Sequence, residues 1–191
     1  MPAFSRRLTA AFSAASLILL ASAALAVPKS FVGSDDAKEK DEPQKFLPDY
    51  DKLVAGKDAD WVYFPKGSLK TYKTVMVKDF ESNGKGRDSR DAARDGREYA
   101  EQWLEREGFE IVEKGADIVV EGNVFNAWEP SGAARYWGGW AANPGVGLEL
   151  LIKDKNGEIV GELRQKAKGS TIPDAVENGL EDMCKSIAAG K

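Results

Sequence analysis

Histidine is absent from the 191 residues, and cysteine occurs once, as Cys184. Without His there is no imidazole base, no imidazole metal ligand and no Ser-His-Asp or Cys-His arrangement. With a single Cys there is neither an internal disulfide nor a Cys-x-x-Cys zinc site. A Gly-x-Ser-x-Gly elbow and a Walker A loop are also missing. Basic charge is in deficit, 27 Lys and Arg against 31 Asp and Glu. That balance argues against a nucleic-acid partner, because phosphate contacts need a basic surface. The length fits one domain. No cofactor and no metal are expected.

What is present begins with an address. Arg6 and Arg7 precede an uncharged, Leu- and Ala-rich stretch centred on Leu17-Ile18-Leu19-Leu20, and Ala24-Leu25-Ala26 places small residues where a signal peptidase inspects the chain. Residues 1–26 read as a secretory signal peptide cleaved after Ala26, with an uncleaved membrane anchor as the rival reading. Removing them takes away two Arg and no acid, so the net charge moves from −4 to −6. The expected location is periplasmic or secreted. Cys184 does not follow the signal, so no lipid anchor is expected.

Residues 27–45 are charged and lack apolar periodicity, which predicts a disordered linker. The domain is expected over 46–191, starting at Phe46-Leu47-Pro48-Asp49-Tyr50. Trp61 to Phe64 suggests an edge strand or a strap over the core. Tyr72 to Phe80 predicts a strand whose Thr74-Val75-Met76-Val77 centre is covered on both faces. Ala92, Ala93, Gly96, Tyr99, Ala100, Trp103 and Leu104 recur at helical spacing over 89–107, and Gly108 fits the C′ position. Phe109 to Val112 and Asp117 to Trp128 read as strands. Val146, Leu148, Leu150 and Ile152 alternate with Gly147, Glu149, Leu151 and Lys153, a strand with one buried face. Asn156-Gly157 marks a two-residue hairpin, and Glu158 to Lys166 returns. Thr171-Ile172-Pro173-Asp174 opens a final helix, along which Ala175, Val176, Gly179, Leu180, Met183, Cys184 and Ile187 recur at helical spacing. The expected fold class is therefore α+β: a two-layer sandwich with a mixed sheet of about five strands and two helices on one face, in the order βαββββα.

Four constellations are candidates for chemistry. The loop 82–89 (SNGKGRDS) lies between a strand and a helix, so Lys85, Gly86 and Arg87 form a weak anion-binding candidate. A solvated connection is the simpler reading. Arg87, Arg90, Arg94 and Arg97 line one face of the first helix beside Asp88, Asp91, Asp95 and Glu98. Interleaved signs favour a solvated surface of short-range ion pairs over a docking stripe. Trp128, Arg135, Tyr136, Trp137 and Trp140 gather in a Gly-rich stretch without regular period. Aromatic faces with an Arg can stack on sugars or enter an interface, or else lie over the sheet as a lid. This is the main binding candidate. Asp58 with Asp60, and Asp154 with Asn156 and Glu158, fit turns better than calcium. No catalytic residue is singled out.

The stretch Phe46 to Leu53, then Trp61-Val62-Tyr63 and Tyr72-Lys73-Thr74-Val75-Met76-Val77, is similar to an uncharacterised family of bacterial exported proteins, many of them lipoproteins, that open with Phe-Leu-x-Asp-Tyr. The later part, from Ala133 through Gly138-Gly139 to Val160, resembles a related group in which a Gly-rich segment precedes a strand and an Asp-x-x-Gly hairpin. The resemblance implies an envelope protein whose fold is similar to the amino-terminal domain of TolB and to curli secretion lipoproteins. It implies no catalytic residue. The expected function is a non-enzymatic binding or envelope-assembly role, with an envelope protein or a cell-wall component as partner and the oligomeric state open. The alternative is a cell-wall glycan-binding module or a carboxylate-dependent glycan hydrolase built on the Trp-rich loop.

Overall fold

A computed structural model describes residues 45–69, 71–84, 87–130 and 143–190. Residues 1–26, expected as a signal peptide, and all but the last of residues 27–45, expected as a linker, lie outside them. Among the described residues, no helix is long and apolar enough to cross a membrane.

The architecture is α+β. Among the described residues, eight strands and two α-helices follow one another: β1 (Val54–Ala55), β2 (Trp61–Tyr63), β3 (Thr74–Val77), β4 (Glu81–Ser82), α1 (Arg87–Arg106), β5 (Glu110–Ile111), β6 (Ile118–Trp128), β7 (Gly145–Asp154), β8 (Ile159–Lys168) and α2 (Ile172–Ala189). The sheet runs β1-β2-β8-β7-β6-β3-β5, and β4 also pairs with β6. It is mixed: β3 is parallel to β5 and β6, and β4 to β6, while the other neighbours are antiparallel. The expected five strands become eight, and βαββββα becomes ββββαββββα. The additional strands are short, two of them only two residues long, too few to show a hydrophobic period.

One continuous core lies between the sheet and both helices. Ala92, Ala93, Ala100 and Leu104 of α1 and Val176, Leu180, Met183 and Ile187 of α2 pack over Val120, Val124, Leu148, Leu150 and Leu163. The 3.6-residue stripe thus sets which side of each helix is buried. Thr171 caps α2 by accepting from the Asp174 N–H, with Pro173 in the first turn. Gly108 ends α1 at φ +87°, a left-handed conformation that favours Gly.

Two local expectations change. The segment expected as one strand from Tyr72 to Phe80 is interrupted after Val77, and β3 alternates half-buried and buried residues instead of being covered on both faces. The interruption turns Phe80 inward, where it fills the space left by Gly96 of α1 and Gly122 of β6; a Cβ at either Gly would stand within 2.5 Å of its ring. The hairpin between β7 and β8 is not a two-residue turn. Asp154 N–H donates to the Glu158 carbonyl, so Lys155, Asn156 and Gly157 (φ +82°) span the reversal. This matches a longer loop with Gly in the left-handed position. The Asp154 carboxylate accepts from the Asn156 and Glu158 N–H groups.

Candidate functional site

The face of the sheet opposite α1 and α2 holds a buried polar cluster. Strand β7 is buried at nine of its ten positions, so its second face is covered as well, contrary to the expectation of one buried face. The cover is the strap formed by residues 46–53, which includes a single 3-10 turn at Tyr50–Lys52. Leu47 of the strap, Phe125 and Leu151 are buried yet stand outside the helix-side core.

Strand pairing assembles the cluster. Asn123 of β6 lies opposite Glu149 of β7, which lies opposite Arg164 of β8. Cross-strand partners share a face, so these side chains meet. Glu149 is fully buried. Its Oε1 accepts from Arg164 Nη1 at 2.9 Å and from the Tyr50 hydroxyl, and its Oε2 accepts from Asn123 Nδ2 at 2.9 Å. Asn123 Oδ1 in turn accepts the Asn83 N–H at 3.1 Å. A carboxylate out of water needs such partners, because burial without them costs several kcal/mol.

A bulge in β6 between Val124 and Asn126 adds an aromatic wall. It sends Phe125 to this face, where the ring occupies the space above Gly147; a Cβ at Gly147 would lie 2.3 Å from it. The Arg164 guanidinium sits 4.0 Å from the Phe125 centroid and 5.4 Å from that of Tyr50. Arg164 is thus stacked on rings as well as paired with Glu149, a use suited to a planar, weakly hydrated cation. Burial, and then the bond to Glu149, push the Tyr50 phenol well above its ordinary value.

Glu162 is the second buried acid of this face. Its Oε2 accepts the Asp49 N–H at 3.1 Å, while Oε1 is buried with no hydrogen-bond partner among the described residues. Burial raises its carboxyl above the ordinary range, helped by Asp49 and Asp51, against the Asp49 N–H bond and the Lys52 charge. Further along the sheet, burial of Glu121 opposes its ionisation, but Lys153 and Lys78, both at 2.7 Å, outweigh that and hold it below the ordinary range.

Of the residues expected to carry function, two are described, Trp128 and Arg87. Arg135, Tyr136, Trp137 and Trp140 lie outside the described residues, as do Lys85 and Gly86. Trp128 is half-buried at the end of β6, opposite Gly145. Arg87 opens α1. On α1, Arg94 pairs with Asp91 and Asp95, and Arg97 with Glu101 and Asp79. These are exposed pairs, which water and salt screen, so they contribute little to stability. Asp60 accepts the Lys166 N–H and Asp154 pairs with Lys66, so both take part in intrachain contacts. Among the described residues no group of three acids, Cys or His is placed to hold a metal ion. Cys184 is buried in the helix layer, and burial pushes its thiol well above the ordinary value.

Sequence reading did not single out Glu149, Arg164, Asn123 and Glu162. Alternation along β7 assigned Glu149 to a solvent face. A usable signal was present: Gly147 and Leu151 share that face with Glu149, and neither is a typical solvent-facing residue.

No family model matches the chain, and no curated protein matches it. It is similar to several solved structures. One is a PelC dodecamer from Paraburkholderia phytofirmans, at TM-score 0.45 and 19% identity, covering 63% of this chain and 96% of that one. Another is a PDZ domain protein from Parabacteroides distasonis, at TM-score 0.42 and 11% identity, covering 64% of this chain and 34% of that one. A third is a DUF4136 family protein from Bacteroides thetaiotaomicron, at TM-score 0.37 and 12% identity, covering 68% of this chain and 94% of that one.

Proposed function

We propose that this chain is an exported, soluble protein of the cell envelope, cleaved after Ala26, with a non-enzymatic binding or assembly role and a domain of the TolB and curli-lipoprotein type. One observation carries the non-enzymatic reading. The buried carboxylate of the second face, Glu149, is engaged by Arg164, Asn123 and Tyr50 of its own chain. A general acid or base must reach a substrate proton, and Glu149 instead fastens the amino-terminal strap to the sheet. The contact with a partner is assigned to the Trp-rich segment between β6 and β7, where rigid aromatic side chains supply large contact area at low entropic cost.

The test uses the full chain expressed in a bacterial host. Osmotic-shock fractionation followed by intact-mass measurement is expected to find a species beginning at Val27. The purified mature protein is then incubated with cell-wall sacculi and with cross-linked envelope extract. Wild type is expected to be retained, Trp137→Ala/Trp140→Ala to be retained at least fivefold less, and neither to release soluble glycan. Retention of residues 1–26 in the cytoplasm would overturn the export reading. Release of glycan fragments, lost in a Glu129→Gln or Glu149→Gln variant, would replace the binding role with the hydrolase. Equal retention of both proteins would remove the Trp-rich segment from the interface.

A further inference from the structure

The strap over the second face is fastened through two buried acids that are served unequally. Glu149 receives donors at both oxygens. Glu162 receives the Asp49 N–H at one oxygen, and the other is buried with no partner among the described residues. An unsatisfied buried oxygen is far costlier on a charged carboxylate than on a neutral carboxyl. The sheet forces this placement. Glu162 lies between Leu151 of β7 and Tyr63 of β2 in the strand pairing, and the strap closes over it.

We propose that the strap of residues 46–53 is a proton-linked latch, docked on the sheet when Glu162 carries a proton and loosened when Glu162 is ionised.

The groups around Glu162 agree with this. Asp49 and Asp51 on the strap disfavour its charge, and Lys52 on the strap favours it. Lys52 is itself held by Asp49, at 3.0 Å, and lies over the Tyr63 ring of β2. From β7 the facing residue is the apolar Leu151. Arg164, two positions along β8, is turned to Glu149 and stacked on Phe125 and Tyr50.

The sign follows from linkage. With the strap open, Glu162 is hydrated and ionises in the ordinary Glu range, near pH 4.3. With the strap docked, burial holds the proton to higher pH. The docked state therefore binds more protons, and docking is strongest below the ordinary range. The opening constant climbs by up to tenfold per pH unit above it and levels off once pH passes the docked-state value. This inference concerns the strap alone and stands whether or not the Trp-rich segment binds a partner.

Native-state hydrogen exchange of the mature protein from pH 4.5 to 8, corrected for the intrinsic pH dependence of exchange, measures the opening constant. The reporters are the amides of Asp49, Lys52 and Leu53, which donate to Glu162, to the Asp49 carbonyl and to the Tyr50 carbonyl. Their opening constant is expected to rise at least threefold across the range, while amides of α2 stay level. Glu162→Gln is expected to flatten the profile. Tyr50→Phe, which keeps Glu162 but removes one latch bond, is expected to raise opening about fivefold at every pH and keep the slope. A flat wild-type profile would overturn the proposal. So would an unchanged slope in Glu162→Gln, or a slope that disappears in Tyr50→Phe. If Glu162→Gln does not fold, the wild-type and Tyr50→Phe profiles decide the matter.

Discussion

Replacing Arg164 by Met tests whether the second face is a charge-compensated latch or only a covered surface. Met retains most of the apolar stem and removes the guanidinium. The native pair is well buried, with side-chain exposures of 12% for Arg164 and 1% for Glu149, at 2.9 Å. In Arg164→Met, Glu149 keeps the bonds from Asn123 and Tyr50 but loses the guanidinium charge. Breaking a buried pair from one side costs about 3–5 kcal/mol. The partial exposure of Arg164 and the two remaining donors place the expectation at the lower end, about 3 kcal/mol, which includes the lost stacking on Phe125. For a domain of this size, that lowers the melting temperature by roughly 6–12 °C. Urea unfolding followed by Trp fluorescence measures the free energy, and a double-mutant cycle with Glu149→Gln isolates the coupling. In the Glu149→Gln background the same substitution is expected to cost about 2 kcal/mol less, because no buried charge is left behind. A single-mutant cost below about 1 kcal/mol, or additivity within about 0.5 kcal/mol, would refute the reasoning.

Other expectations are local. Gly122→Ala puts a Cβ 2.4 Å from the Phe80 ring, which Gly96 already confines from the other side; overpacking of this kind is expected to cost about 1–3 kcal/mol by chemical denaturation. Cys184 is fully buried with its thiol shifted far up, so Ellman's reagent is expected to react at the rate of global opening, and fast labelling of the native protein would contradict its placement.

The helices and the long strands could be read from the chain because their signals are periodic and extend over many residues. The stripe from Ala92 to Leu104 and that from Ala175 to Ile187 both became core, and Thr171, Gly108 and Gly157 mark the boundaries that their chemistry requires. What could not be read depends on register. Val54–Ala55 and Glu81–Ser82 are strands because a neighbour pairs with them, not because of their own composition. Glu149, Arg164 and Asn123 lie between 15 and 41 positions apart, and only the alignment of three strands makes them one cluster. The covering of the second face was hidden for the same reason: Tyr50 shows its partner only when residues 99 positions apart meet.

That separation sets an order of events. The strap is among the first parts of the domain to be synthesised, yet its anchors Glu149 and Glu162 are 99 and 113 residues further on. The neighbouring segment also waits, because the Ala59 N–H donates to Ser186 in α2, 127 residues away. Contacts between adjacent segments close cheaply, whereas distant ones carry a larger entropic cost of loop closure. The β6-β7-β8 meander is thus positioned to assemble first. Until it does, Tyr50 and Asp49 lack the carboxylates that fasten them, so docking of the strap is a step that the meander must precede.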